Sequence, residues 1–406
     1  MEADFGAVEP AGDAVDRQNG EADARLVDAE VAEAHRKGSH HDAVEDAAPP
    51  VVGAGVGLIE QEDGAEEHRA RQHLVAHTAQ AEHKARRKGG PLRQTQLARE
   101  EEVDIPAVCR HAAEKGVGIM LWAKWINVDK QLDEAFEMMR SWGVKGVKID
   151  FMDRNDAKMV NFYERVARKA EECHLLIDFH GSYPNEGMRA KYPLLMTREG
   201  LVGLEYNKWS DRATPRHDLI IPFLRMWVGP MDYTPGAMLN AQRESFRINA
   251  VEPMSQGTRV HQLAMYIVYE SPLQMLSDSP TKYLENPDSF DFLKQVPTVW
   301  DETHPLFGKI GCNIGVARRN GDEWFVGIMG GDAPQSVTLN LSFLGNGNYV
   351  MTAFRDGVNA EVNGKDHQRF EQEVTASDRL PVALATGGGF AAVIRKKTAS
   401  DERPSQ

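Results

Sequence analysis

Cysteine is scarce in this chain: Cys109, Cys173 and Cys312 are the only three in 406 residues. So few, set so far apart, exclude a disulfide framework and the paired spacing of a structural zinc site. A lone cysteine is as a rule a small buried apolar residue. No apolar run approaches the roughly 20 residues needed to cross a bilayer. The opening MEADFGAVEP has neither the basic nor the apolar segment of a signal peptide, and on that reading the chain stays in the cytoplasm. Positive charge is in deficit, with 47 Lys and Arg against 61 Asp and Glu and a net charge of −14. That balance speaks against nucleic acid, whose phosphates call for basic patches. A P-loop and a G-x-S-x-G elbow are missing too, which removes the commonest nucleotide and serine-hydrolase readings.

Aromatic residues are missing from a whole stretch: before residue 103 the only one is Phe5. Segments such as EADARLVDAEVAEAHRK carry no sustained apolar stripe, and the one apolar patch, VVGAGVGLI at 51–59, is broken by glycine. A region this poor in large apolar side chains buries too little surface to offset its ordering entropy. Residues 1–102 therefore read as a disordered or non-native segment, and 398–406 as a disordered tail.

From Val103 the texture becomes that of an α/β protein. VGIMLWAKW (117–125) reads as a buried strand, and DKQLDEAFEMMRSWG as a helix with Leu132, Phe136 and Met139 at helical spacing and Gly143 as its stop. Strands are expected at 144–151, 174–181, 200–206, 227–233 and 272–279, with a strong helix in GTRVHQLAMYIVYES. Strand starts recur about every 28 residues, the βα repeat of parallel barrels and doubly wound sheets. Six strands in 103–305 give a (β/α)8 TIM barrel lacking its first two. Alternating runs around Gly321 and Asp322 then signal a hairpin, and 306–397 reads as a small antiparallel β-sandwich.

In such a barrel, side chains at the C-terminal strand ends line the site. Asp150 ends VKGVKID, with Lys148 two residues earlier on the same face. A carboxylate there can attack an anomeric carbon with a cation keeping it ionised, or can merely cap the next helix. Glu205 sits beside Tyr206, Asn207 and Trp209, the mixture of ring faces and amides that a sugar site needs; the plainer alternative is an ion pair with Arg212. Glu199 precedes it by six residues, and the two could share a hard cation. His180 and Asp232 close further strands and could bond sugar hydroxyls. Trp122 could stack on a sugar, or pack in the core.

The ordered segments LWAKW, KIDFMDRND, DFHGSYPNEGMR, TREGLVGLEYNKWS, GPMDYTPGAM and SQGTRVHQLAMYIVYESPLQMLSD resemble glycoside hydrolase family 97. That resemblance implies a catalytic barrel between two β-sandwiches, with Ca2+ in the site and α-linked oligosaccharides or galactosides as substrates. It implies an Asp150 nucleophile, a Glu205 acid/base and Glu199 with Glu205 as calcium ligands, with Trp122, Lys148, His180, Asn207, Trp209 and Asp232 binding substrate. Inverting members carry a base glutamate directly after the strand-end histidine. Here Gly181 follows His180, which favours a retaining, α-galactosidase-like enzyme. The alternatives are an inverting α-glucosidase and an inactive fragment that at most binds carbohydrate. The family's N-terminal sandwich is not recognisable, and the resemblance suggests export to the periplasm or beyond.

Overall fold

The computed structural model describes residues 103–184 and 187–398, together with the backbone of 56–60 and 75–77. The expected disorder of 1–102 and of 398–406 therefore falls almost wholly outside the described residues.

The first part of the structure is built from strand–helix units. Helix α1 (Ile105–Ala113) starts on Asp104, whose carboxylate accepts the Ala107 N–H at 2.9 Å. Strand β3 (Val117–Lys124) follows, then α2 (Trp125–Lys130) and α3 (Leu132–Trp142). Gly143 ends α3 at φ 86°, a left-handed cap that glycine adopts without strain. Next come β4 (Gly146–Asp150), α4 (Ala157–Cys173) capped by Asp156, β5 (Leu176–Phe179) and β6 (Leu195–Arg198). Phe136 and Met139 of α3 and Phe162, Tyr163 and Val166 of α4 close over Val147, Ile149, Ile177 and Phe179 in one core cluster. Removing one such large side chain costs about 2–5 kcal/mol.

Strands β3 to β6 are parallel neighbours, in continuous register from β3 to β5 and with a one-residue shift between Ile177 and Asp178 where β5 meets β6. Lys148 pairs with Asp178, and Asp178 with Thr197. That register stacks one polar layer, with Asp150, His180 and Glu199 a step further toward the C-terminal ends. The parallel run continues as a single bridge from Arg198 to Met231. On its other side, β3 pairs with β1 (Val56–Glu60) and β1 with β2 (Val75–His77), both antiparallel. The glycine-broken patch at 51–59 thus contributes a strand, in the place where a (β/α)8 barrel has a parallel neighbour.

Three expected strands do not form. Gly200, at φ 57°, turns the chain out of extension straight after Glu199, and Leu204–Lys208 is a 3-10 turn. Between 227 and 233, Gly229 (φ 117°) and Pro230 leave only Met231 able to bridge. The run 272–279 is apolar because Leu273 and Met275 lie against Met120 of β3 and Met196 of β6, not because it joins a ladder. Short helices α5 (Pro215–Asp218) and α6 (Ile221–Leu224), the strand pair β7 (Asn240–Ala241) and β8 (Ser255–Gln256), and helices α7 (Arg259–Val268), α8 (Pro280–Leu284) and α9 (Pro287–Leu293) complete this part.

The C-terminal part is antiparallel, as expected, and starts at Glu302, slightly before 306. Its strands are β9 (Glu302–Lys309), β10 (Asn313–Asn320), β11 (Glu323–Gly330), β12 (Gln335–Asn340), β13 (Tyr349–Asp356), β14 (His367–Val374), β15 (Arg379–Leu384) and β16 (Gly389–Lys396). Six form one sheet in the order β14-β13-β16-β11-β10-β9, and β12 pairs with β15. The Gly321–Asp322 turn joins β10 to β11 as read from the sequence, with Asn320 opposite Glu323.

Every residue of α7 is buried. The sheet presses on it through glycines: a Cβ at Gly327 would stand 2.8 Å from the Ala264 carbonyl, and one at Gly389 would stand 2.5 Å from the His261 nitrogen. His261 Nδ1 faces the Gly388 carbonyl at 3.0 Å, and its Nε2 lies 3.4 Å from Asp218, which accepts the Tyr233 hydroxyl at 2.5 Å.

Candidate active site

The carboxylates sit where the parallel strands end. Asp150 is the last residue of β4 and is buried. Its Oδ2 accepts the indole N–H of Trp122 at 2.9 Å, and its Oδ1 accepts the Phe151 N–H at 2.6 Å. Trp122 therefore orients this carboxylate edge-on. Phe151 and Asp153 both have positive φ (65° and 44°), and Asp153 N–H donates to Gly181 O at 2.7 Å. Backbone held in that region by non-glycine residues marks a site whose geometry the surroundings over-determine.

Below this lies a charge cluster in which Asp178 and Asp232 are fully buried and Lys148 nearly so. Lys148 Nζ hydrogen-bonds Asp232 Oδ2 and lies 3.3 Å from Asp178 Oδ2. Thr197 donates to Asp178 Oδ1 at 2.8 Å. Burial works against the Lys148 charge, but Asp232 and Asp178 outweigh it and raise its pKa. Burial and the neighbouring Asp232 push Asp178 up to about 8, while Lys148 and His180 hold Asp232 well below the usual carboxylate range despite its burial. Asp178 and Thr197 escaped the sequence reading. The signal was present, since Asp178 stands two residues before His180 on the same strand face.

His180 connects this cluster to the site mouth. Its Nδ1 faces Asp232 at 2.8 Å, and its Nε2 faces Glu205 at 3.1 Å and Glu199 at 3.4 Å. Burial and Lys148 oppose its charge, yet the bonds to Asp232 and Glu205 raise its pKa well above the ordinary value. Burial raises Glu199 to about 7, against the pull of His180. In Glu205 the His180 bond and charge overcome burial and lower the pKa. Glu199 directly follows β6 rather than lying across a strand from Glu205, which sits in the 3-10 turn. Its Oε2 accepts Gly181 N–H at 2.7 Å, and Arg225 fixes its backbone through the Glu199 and Arg198 carbonyls, each at 2.9 Å.

The glycine after His180 is required by the packing. Gly181 has φ 58°, and a Cβ there would stand 2.9 Å from Phe151 N and 3.1 Å from both Asp150 Oδ1 and Asp153 Oδ1. Beyond Glu205, the Tyr206 and Trp209 rings lie 5.4 Å apart with Trp209 54% exposed. Asn207 instead points inward: it is 1% exposed, and neither amide atom has a partner. One oxygen each from Glu199 and Glu205 and a nitrogen of His180 lie within 4.8 Å of one another. The two carboxylates are the hard donors there, while the grouping of Asp178, His180 and Asp232 is already filled by the Lys148 ammonium.

Comparison with known proteins settles the lineage. The profile described as glycoside hydrolase 97 matches residues 63–201, beginning upstream of the composition change at 103. The profile described as glycosyl-hydrolase 97 C-terminal, oligomerisation, matches residues 299–395. The chain belongs to glycoside hydrolase family 97. Within family 97 it is 42% identical over 297 residues to a protein from Bacteroides thetaiotaomicron named retaining alpha-galactosidase, covering 73% of this chain and 45% of that one. It is 33% identical over 291 residues to a probable retaining alpha-galactosidase from Streptomyces bingchenggensis, covering 71% and 42%. The chain thus spans less than half the length of these curated relatives. Among solved structures, a family 97 enzyme from Pseudoalteromonas sp. strain K8 in complex with acarbose superposes with TM-score 0.67 at 31% identity, over 73% of this chain and 50% of that chain. Its fold supports a TIM-barrel-like domain followed by an antiparallel β domain. Among the described residues no helix is long and apolar enough to cross a membrane.

Proposed function

We propose that this site hydrolyses terminal α-linked galactosides with retention of configuration, by double displacement. Asp150 attacks the anomeric carbon while Glu205 gives a proton to the departing oxygen. A glycosyl-enzyme forms on Asp150, and Glu205 then takes a proton from the water that releases the sugar. For the first step Glu205 needs a proton when the bond breaks, and its hydrogen bond to His180 is the arrangement able to share one. Trp122 and the Phe151 N–H aim Asp150, and the Lys148–Asp178–Asp232 cluster holds His180 from beneath.

The observation that carries this reading is Gly181. Inversion by a family 97 enzyme calls for a carboxylate on that residue, and a side chain there would collide with Asp150 and the Phe151 backbone. A site with Asp150 in this position has room for a nucleophile and none for a base on residue 181. The galactoside preference follows the relatives named retaining alpha-galactosidase, and an oligosaccharide ligand agrees with the family 97 structures in complex with acarbose and panose.

Calcium fits the oxygen donors present. Glu199 and Glu205 would supply two of the six to eight oxygens it takes. Burial raises Glu199 to about 7 even with His180 3.4 Å away, and a bound cation would bring it back down. When bound, such an ion would polarise sugar hydroxyls.

The test is Asp150→Ala with an aryl α-galactoside. Turnover should vanish, and azide should restore part of it as a glycosyl azide of the β configuration, because azide enters the emptied face. Undiminished hydrolysis by the variant would remove Asp150 from the nucleophile role.

A further inference from the structure

Glu205 and Trp209 belong to the same turn, Leu204–Lys208, which Trp209 caps. That turn is held by two bonds to one carbonyl: the N–H groups of Trp209 and Ser210 both donate to Tyr206 O, at 3.0 and 2.7 Å. Tyr206 directly follows Glu205 in that turn, and its phenol feels the charges of Glu199, Glu205 and Asp153. The Trp209 ring packs against it, with ring centroids 5.4 Å apart and a 54° tilt, and the Arg212 guanidinium packs over Tyr206 at 5.3 Å. The indole is therefore fixed by its neighbours while more than half of its surface stays in water. Leaving so large an apolar ring wet forgoes the burial that an aromatic side chain usually provides.

A general acid stands on the side of the bond from which the leaving group departs. The Tyr206–Trp209 pair is an aromatic surface carried on the same turn as Glu205. A pyranose ring suits an exposed aromatic face, since its C–H surface is apolar and its rim carries the hydroxyls.

We propose that Trp209, braced by Tyr206, is the platform on which a sugar leaving group stacks, so that the preferred substrates are α-galactosides linked to another sugar rather than to a small alcohol. This rests on Glu205 as the proton donor proposed above. Stacking on the leaving group acts only on the step that breaks the glycosidic bond; release of the glycosyl-enzyme by water involves no aglycone.

The experiment compares the parent with Trp209→Ala and Trp209→Phe on two substrates. One is melibiose, in which galactose is α-linked to glucose. The other is α-galactosyl fluoride, whose leaving group is too small to reach the platform and departs without a proton from Glu205. We expect Trp209→Ala to lose about tenfold or more in kcat/KM on melibiose, from the loss of one aromatic face, and to stay within about twofold of the parent on the fluoride. Trp209→Phe should fall between. Equal losses on both substrates indicate a general structural role and overturn the proposal, as does unchanged melibiose hydrolysis. A parent that hydrolyses neither substrate overturns the catalytic reading itself. A parent that turns over the fluoride, with a Trp209→Ala variant normal on melibiose, sinks only the platform.

Discussion

Replacing Gly181 by alanine tests the centre of the site with a single methyl group. At φ 58° an L-residue loses about 1–2 kcal/mol relative to glycine from left-handed backbone strain. The added carbon would also sit 2.9 Å from Phe151 N and 3.1 Å from Asp150 Oδ1. The first neighbour is backbone, already held at φ 65°, and cannot swing aside as a flexible side chain would. Adding about 1 kcal/mol for this crowding gives a loss near 2–3 kcal/mol, or a fall in Tm of about 4–12 °C for a domain of this size. The effect on rate should be out of proportion to that. Relief of the contact moves Asp150 by some tenths of an ångström, and a displacement of about 1 Å at a reacting centre costs on the order of 100-fold. The assay is kcat/KM on an aryl α-galactoside at a temperature well below the variant's Tm, with circular dichroism and a thermal scan to show that the fold persists. A folded Gly181→Ala protein within about threefold of the parent would refute the reasoning, because the carboxylate beside residue 181 would then not be the group that reacts.

Removing the buried ammonium with Lys148→Met should destabilise by about 3–5 kcal/mol, the usual result of orphaning one side of a buried ion pair. With Lys148 in place Asp178 is already raised to about 8; without the ammonium it rises further, so the folded variant keeps a proton that the folded parent gives up as pH passes about 8. The Tm deficit of the variant should therefore be larger at about pH 9 than at about pH 6, and an equal deficit at both would contradict this account. Away from the site, His367 Nε2 meets Asp288 at 2.8 Å, which draws Asp288 down to about 2 and, against burial, raises His367. The depressed acid stabilises above its unfolded value near pH 4 and loses that as pH falls toward 2. The raised histidine stabilises below about pH 6.5 and loses that as pH rises through its folded value. Thermal scans of Asp288→Asn should thus differ most from the parent between about pH 4 and 6.5, and a difference that is flat from pH 4 to 9 would exclude the pairing.

Much of the site was legible because its residues end strands whose alternation is clear. KID and DFH each place a polar side chain one step beyond a buried apolar one, and the helix carrying Leu132, Phe136 and Met139 stops at Gly143 as its spacing indicates. The hairpin at Gly321 was equally plain. Less legible was anything that depends on register between strands. Lys148, Asp178 and Thr197 form one layer only because β4, β5 and β6 align them, and no local pattern encodes that alignment. The strands expected at 200–206 and 272–279 misled for a common reason. An apolar run does not by itself make a strand: Gly200 turns the first segment out of extension and leaves most of it half-buried, and Leu273 and Met275 of the second are buried by packing against Met120 and Met196. Asn207 was expected to face a sugar, whereas the tight turn carrying Glu205 rotates it into the interior.

Helix α7 has no face of its own to give to solvent, being claimed on one side by Tyr233 and Tyr269 and on the other by β11 and β16. Through His261 and Asp218 it also ties the loop before β16 to Tyr233, the neighbour of Asp232. The antiparallel sheet is thereby the backing of α7. Trimming it away would bare an apolar helix and release the tie that runs through His261 and Asp218 to Tyr233, so residues beside Asp232 depend on β-strand packing more than a hundred residues along the chain.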